Sequence, residues 1–115
     1  MNKSNHILKI ATSVIEQQSL AITGLASQLN KDFEDVIDWV HTGKGRLVLT
    51  GIGKSAIIGM KISATLNSTG TKSIFMHAAD AIHGDLGMIE KEDIVLCLSK
   101  SGSSAEIKTL IPLLK

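Results

Sequence analysis

Arg46-Leu47-Val48-Leu49-Thr50-Gly51-Ile52-Gly53-Lys54-Ser55 decides the fold. A short apolar run ends at Gly51, turns through glycines, and passes into a pattern that reads as helix to Ser68. Beyond Gly70 the alternation continues. A second strand is expected at Lys72 to Met76, a loop or short helix at Ala78 to Ile89, and a third strand from Asp93 to Leu98. That third run is apolar and β-branched, which predicts a strand buried on both faces. Glu106 to Leu114 reads as the following helix. Strands and helices alternate with no hairpin signal, so the strands should pair in parallel through right-handed crossovers. The fold class is α/β.

Upstream, Ile7, Ala11, Val14, Ala21, Ile22, Leu25 and Leu29 recur at helical spacing, predicting an amphipathic helix from Ile7 to Leu29 whose stripe needs a cover. Asn30 is the expected N-cap of a second helix, with Phe33, Val36, Ile37 and Val40 inward and Gly43 as its stop. Residues 1–43 thus form a helical segment and 44–115 the α/β part.

The 115 residues suffice for one domain with a modest core. Twelve basic residues against eleven acidic leave no field to attract nucleic acid or an anionic bilayer, and two Phe with one Trp make no base-stacking platform. No apolar run approaches the about 20 residues that span a membrane. The polar N-terminus is unlike a secretory signal, so a cytoplasmic location is expected. Cys97 is the only cysteine, which excludes an internal disulfide and a cysteine zinc cluster; within a strand it reads as an inert core residue.

In open parallel sheets ligands bind beyond the carboxyl ends of the strands, and three polar clusters fall there. Gly51-Ile52-Gly53-Lys54-Ser55-Ala56 fits the loose dinucleotide pattern, but no carboxylate stands in 70–76 to hold a ribose. A P-loop would need glycine where Val48 stands. What remains is either a plain strand-to-helix turn or a close backbone approach to a ligand with Lys54 as a nearby cation. Ser99-Lys100-Ser101-Gly102-Ser103-Ser104 has more hydroxyls than one helix cap needs, which points to a phosphate held at a helix start. Glu106, in the first turn, is equally a dipole partner or a general base. His77, Asp80, His83 and Asp85 follow the second strand. His83, in a polar loop, suits proton transfer near neutral pH. His77 is most simply a strand-ending histidine bonded to backbone.

Gly51-Ile52-Gly53-Lys54-Ser55, His83-Gly84-Asp85-Leu86-Gly87 and Ser99 to Glu106 together resemble the sugar isomerase (SIS) domain family, and within it the arabinose-5-phosphate isomerases. The resemblance implies a flavodoxin-like three-layer parallel sheet with flanking helices. It further implies a homotetramer, no required cofactor, and interconversion of ribulose 5-phosphate with arabinose 5-phosphate for the sugar acid Kdo of lipopolysaccharide or capsule. By position, Lys54, His83 and Glu106 match catalytic residues. Gly51, Gly53, Ser55, Ser99, Ser101, Gly102, Ser103 and Ser104 match substrate contacts. Gly70 and Thr71 match another substrate-contacting pair, which the topology puts at the far end of the second strand, within reach of a site only across a subunit interface. His77 matches a histidine associated with inhibitory or incidental zinc. Lys100, Ser103 and Ala105 replace the commoner Asn, Glu and Ser, and Ala78 and Ile82 replace Pro and Ser. The family sheet continues past a third strand, so the chain is expected to be the N-terminal part of the domain, truncated after the helix following that strand. A non-catalytic phosphosugar-binding module is the competing reading; His83 to Gly87 with Glu106 favours the isomerase.

Overall fold

A computed structural model describes residues 3–102 and 104–114. The chain divides into two compact units, Met1–Asp38 and Trp39–Lys115. In the first, α1 (Lys3–Leu25) gives way to a single 3₁₀ turn at Ala26–Gln28. The helix expected to run to Leu29 therefore stops at Leu25. Ser27 donates its hydroxyl hydrogen to the Gly24 carbonyl at 3.0 Å, and Leu29 is extended. The stripe of α1 lies open to solvent: Ile7, Val14, Ile22 and Leu25 are all exposed. Asn30 does cap α2 (Lys31–Thr42), its Oδ1 accepting from the Phe33 N–H at 3.2 Å. Along α2 only Val36 and Val40 of the four expected inward residues are not exposed or nearly so; Phe33 and Ile37 are exposed.

The second unit is built on β1 (Leu47–Gly51), β2 (Ser73–His77) and β3 (Ile94–Cys97), all parallel in the order β2-β1-β3. Between β1 and β2 runs α3 (Lys54–Ser68); α4 (Ala78–Ile82) and a 3₁₀ turn at Asp85–Met88 follow β2, and α5 (Ala105–Leu113) follows β3. Only the central strand is buried throughout. Successive strand residues face opposite sides. Val48 therefore joins Met76, Ala78, Ala81, Ile107 and Leu110 on the α4/α5 side. On the other side Gly59 of α3 lies against the Phe75 ring, close enough that a Cβ there would stand 3.0 Å from it. Contrary to the sequence expectation, every residue of β3 is only half-buried. It is an edge strand with one hydrogen-bonded neighbour among the described residues.

Two side-chain devices set the strands in step at their amino ends. Asp93, whose side chain is 1 % exposed, accepts from the Arg46 main-chain N–H at 2.9 Å, from Arg46 Nε at 3.3 Å and Nη2 at 2.7 Å, and from the Glu90 N–H at 2.8 Å. Arg46 Nη2 also donates to the Met88 carbonyl at 2.7 Å. Across the sheet, Asn67 Nδ2 donates to the Ser73 carbonyl, and its Oδ1 accepts from the Ser73 N–H, tying the end of α3 to the start of β2. A buried bond of 2.9 Å between the Ser73 and Ser63 hydroxyls adds to this tie.

The Arg46 guanidinium, with the two main-chain donors, holds the Asp93 carboxyl well below the usual carboxylate range. A depressed folded-state value makes the stabilisation complete above the unfolded value, about 4, and progressively lost as pH falls below it. Asp93→Asn should cost about 1–3 kcal/mol at pH 7, since buried donors lose a charged acceptor. Urea unfolding from pH 7 to pH 3 should show a shallower acid loss in this variant than in the wild type.

Candidate functional site

The register pairs Gly51 with His77 and Thr50 with Cys97, so the three strands end level. Gly51 to Ser55, His77 to Asp85 and Ser99 to Glu106 therefore gather at one carboxyl edge. Gly70 and Thr71 sit at the opposite edge, where Thr71 lines a small cavity with Gly45, Arg46, Lys72 and Ile94. The Thr71 N–H there donates to the Leu66 carbonyl at 2.9 Å, closing the end of α3.

At the end of β1, Gly51 is buried and Gly53 has φ +61°, a conformation that favours glycine. Gly53 occupies the N-cap position and brings no side chain to cap the first N–H groups. Lys54 is exposed, Ser55 is half-buried, and among the described residues no carboxylate pairs with Lys54. At the end of β2, His77 Nδ1 accepts from the Ala79 N–H at 3.2 Å and caps α4; its ring meets Phe75 edge-on at 6.4 Å. That bond puts the proton of the neutral ring on Nε2, so the lone pair of His77 is already used. No group of three His, Cys, Asp or Glu able to hold a metal exists among the described residues. A zinc at His77 does not fit this arrangement, and no chemical step is routed through one. His83 ends α4, exposed, its N–H donating to the Asp80 carbonyl at 3.1 Å. Asp80 and Asp85 are exposed beside it.

After β3, Ser99 Oγ accepts from the Gly102 N–H at 2.8 Å and folds residues 99–102 into a turn, with Gly102 at φ +70°. Ser101 is exposed on this turn. Ser103 lies outside the described residues. Ser104 takes the N-cap backbone conformation of α5, but its hydroxyl makes no cap bond and is buried without a partner. Glu106 is half-buried in the first turn. α3 and α5 thus differ from α2 and from α4 beside them, which are side-chain capped. Neither Gly53 nor Ser104 caps its helix with a side chain, and α3 and α5 turn the positive ends of their dipoles to the same edge, which is anion-binding chemistry.

Thr50, which drew no attention as a strand residue, is fully buried with its Oγ1 unpartnered. The one available signal was a hydroxyl ending the run Leu47-Val48-Leu49. Burial pushes the Cys97 thiol up, in keeping with an unreactive thiol.

Residues 42–115 match the SIS domain. The chain belongs to the SIS domain family. It is 48 % identical to arabinose 5-phosphate isomerase KdsD of Pseudomonas aeruginosa over an alignment covering the whole chain and 36 % of that protein. With arabinose 5-phosphate isomerase KpsF of Escherichia coli O6:H1 it shares 42 % identity, over 96 % of the chain and 34 % of the relative. A solved E. coli CFT073 protein in complex with arabinose 5-phosphate superposes with a TM-score of 0.90 at 36 % identity, covering 99 % of this chain and 60 % of that one. The chain spans about a third of the length of these curated relatives. As in the SIS fold, three parallel strands lie in one sheet with flanking helices.

Gly102→Ala tests the turn. Open space surrounds the position, so the effect is conformational: a left-handed residue with a Cβ costs about 1 kcal/mol. Titration calorimetry with inorganic phosphate should show affinity reduced several-fold, while the far-ultraviolet circular dichroism of the sheet and helices is unchanged.

Proposed function

We propose that this chain forms the phosphate-binding part of an aldose–ketose isomerase that interconverts ribulose 5-phosphate and arabinose 5-phosphate. The observation that carries the reading is the pair of uncapped helix starts at one edge, α3 behind the Gly53 turn and α5 behind the Ser99–Gly102 turn. The names of the relatives, and the ligand of the E. coli CFT073 structure, support the choice of sugar phosphate.

The phosphate docks at the start of α5, with the hydroxyls of Ser99, Ser101, Ser103 and Ser104 as donors, and Gly51, Gly53 and Ser55 bound the other wall. Binding the phosphate far from the reacting carbons orients them, and binding energy expressed in the transition state raises kcat as well as affinity. From ribulose 5-phosphate, a base removes a C1 proton and the electrons pass through C2 to the carbonyl oxygen, forming an enediolate. Reprotonation at C2 then yields the aldose. Lys54, exposed and without a carboxylate partner, steadies the anionic oxygen. Glu106 moves the proton or orients the base. His83 opens the aldose ring or holds a hydroxyl. No cofactor is required by this route. Gly70 and Thr71 lie at the far edge and touch substrate only if a neighbouring subunit brings them there, as a homotetramer would. We assign the protein to the cytoplasm and its product to the Kdo of lipopolysaccharide or capsule; among the described residues no helix is long and apolar enough to cross a membrane.

The test is incubation of the protein, as its gene encodes it, with ribulose 5-phosphate in heavy water, followed by proton NMR. Arabinose 5-phosphate deuterated at C2 is the expected product. Glu106→Gln should lower kcat by about 100-fold or more, the scale of general acid–base catalysis; full turnover in that variant overturns its role. Thermal stabilisation without product selects a binding module instead.

A further inference from the structure

Among the described residues two hydroxyls at the carboxyl edge are buried without a hydrogen-bond partner, Thr50 Oγ1 and Ser104 Oγ. Folded proteins keep few such groups, and each calls for a reason. The other buried polar residues show the contrast: Ser63 and Ser73 bond to each other at 2.9 Å. Thr50 is 0 % exposed, so bulk solvent does not reach it.

Its position supplies the reason. Thr50 falls between Val48 and Ile52 on the sheet face that packs against Ile107. It is one strand repeat beyond Val48 toward the carboxyl edge, an advance of about 6.6 Å. Ser104 precedes Ile107 by three residues, an advance of about 4.5 Å toward the same edge. Val48 and Ile107 belong to the same buried cluster, so the two orphan hydroxyls lie on its carboxyl-edge side. Beyond them open the Gly51–Lys54 turn and the uncapped start of α5.

Resting on the sugar-phosphate reading above, we infer that Thr50 is a positioning residue of the phosphate site, its hydroxyl standing behind Ser104 and completed only when the anion is bound. Ser104 then donates its hydroxyl hydrogen to a phosphate oxygen, and Thr50 donates to Ser104 Oγ. The anion polarises the first bond, which makes Ser104 Oγ a better acceptor for the second. Among the described residues neither hydroxyl has a partner, and both are held desolvated. Thr50 touches no substrate itself; it fixes the rotamer of a residue that does.

Thr50→Val keeps the shape and deletes the hydroxyl, whereas Thr50→Ser keeps the hydroxyl. Both variants, made in the protein as its gene encodes it, are compared with the wild type in thermal unfolding, in inorganic phosphate binding by calorimetry, and in turnover of ribulose 5-phosphate. Thr50→Val should unfold at the same or a higher temperature, because an unmet hydroxyl is removed. Its phosphate Kd and its KM should rise about three- to ten-fold, the worth of one hydrogen bond, with kcat changed less than KM. Thr50→Ser should recover most of that loss. Unchanged phosphate Kd and KM in Thr50→Val overturn the inference, as does a Thr50→Ser variant equally weak, or a marked fall in unfolding temperature in Thr50→Val. A wild type that binds no phosphate fails at the level of the site reading. A wild type that binds, with Thr50→Val binding equally, fails only at the role of Thr50.

Discussion

Asp93 is the fixed point on which the site depends, although it lies at the opposite edge of the sheet. Its carboxylate takes hydrogen bonds from the main chain of Arg46 at the entry to β1 and of Glu90 before β3, and closes a two-oxygen contact with the Arg46 guanidinium. β3 has only β1 beside it among the described residues, and an edge strand held by one ladder is free to slip. A slip of one residue would send Val95 and Cys97 to the wrong face and carry the Ser99 turn out of line with the Gly53 turn. A buried carboxylate is a costly way to hold a register, because its charge loses water. Here the Asp93 oxygens are fully engaged by donors, and what is gained is geometric: Leu47 opposite Ile94, Thr50 opposite Cys97.

The carboxyl edge is organised on the reverse principle. At the amino edge Asp93 and Asn67 meet the main-chain groups that begin strands, while at the carboxyl edge α3 and α5 start without side-chain caps and two buried hydroxyls are unmet. Serine at an N-cap position ordinarily satisfies its own helix. Ser104 does not, and Ser99 spends its acceptor on holding the turn through Gly102. The loop is thereby shaped before a ligand arrives. Stability is concentrated at one end of the sheet and withheld at the other.

The order of elements was legible because each is announced by local chemistry. The apolar run ending at Gly51, the cap at Asn30 and the stop at Gly43 act within a few residues of themselves. The carboxyl-edge location of the three polar clusters followed from parallel pairing, a consequence of having no hairpin signal. What could not be read was how much cover each strand receives. Ile94 to Cys97 has the composition of a central strand, yet it is half-buried because the described residues place no strand outside it. His77 is a metal-ligand type by composition, but the fold uses its lone pair to cap α4.

By itself, the sequence determined the α/β alternation, the parallel sheet, and the residue types that gather where strands end: glycines for tight turns, hydroxyls and helix starts for an anion. These are local or periodic properties, which depend on neighbours along the chain. The tertiary structure alone decided which of those groups are spent and which are left over. Whether a hydroxyl such as Thr50 Oγ1 or Ser104 Oγ finds a partner depends on atoms brought together from distant segments, and hydrogen bonding acts only over a few ångströms of three-dimensional distance.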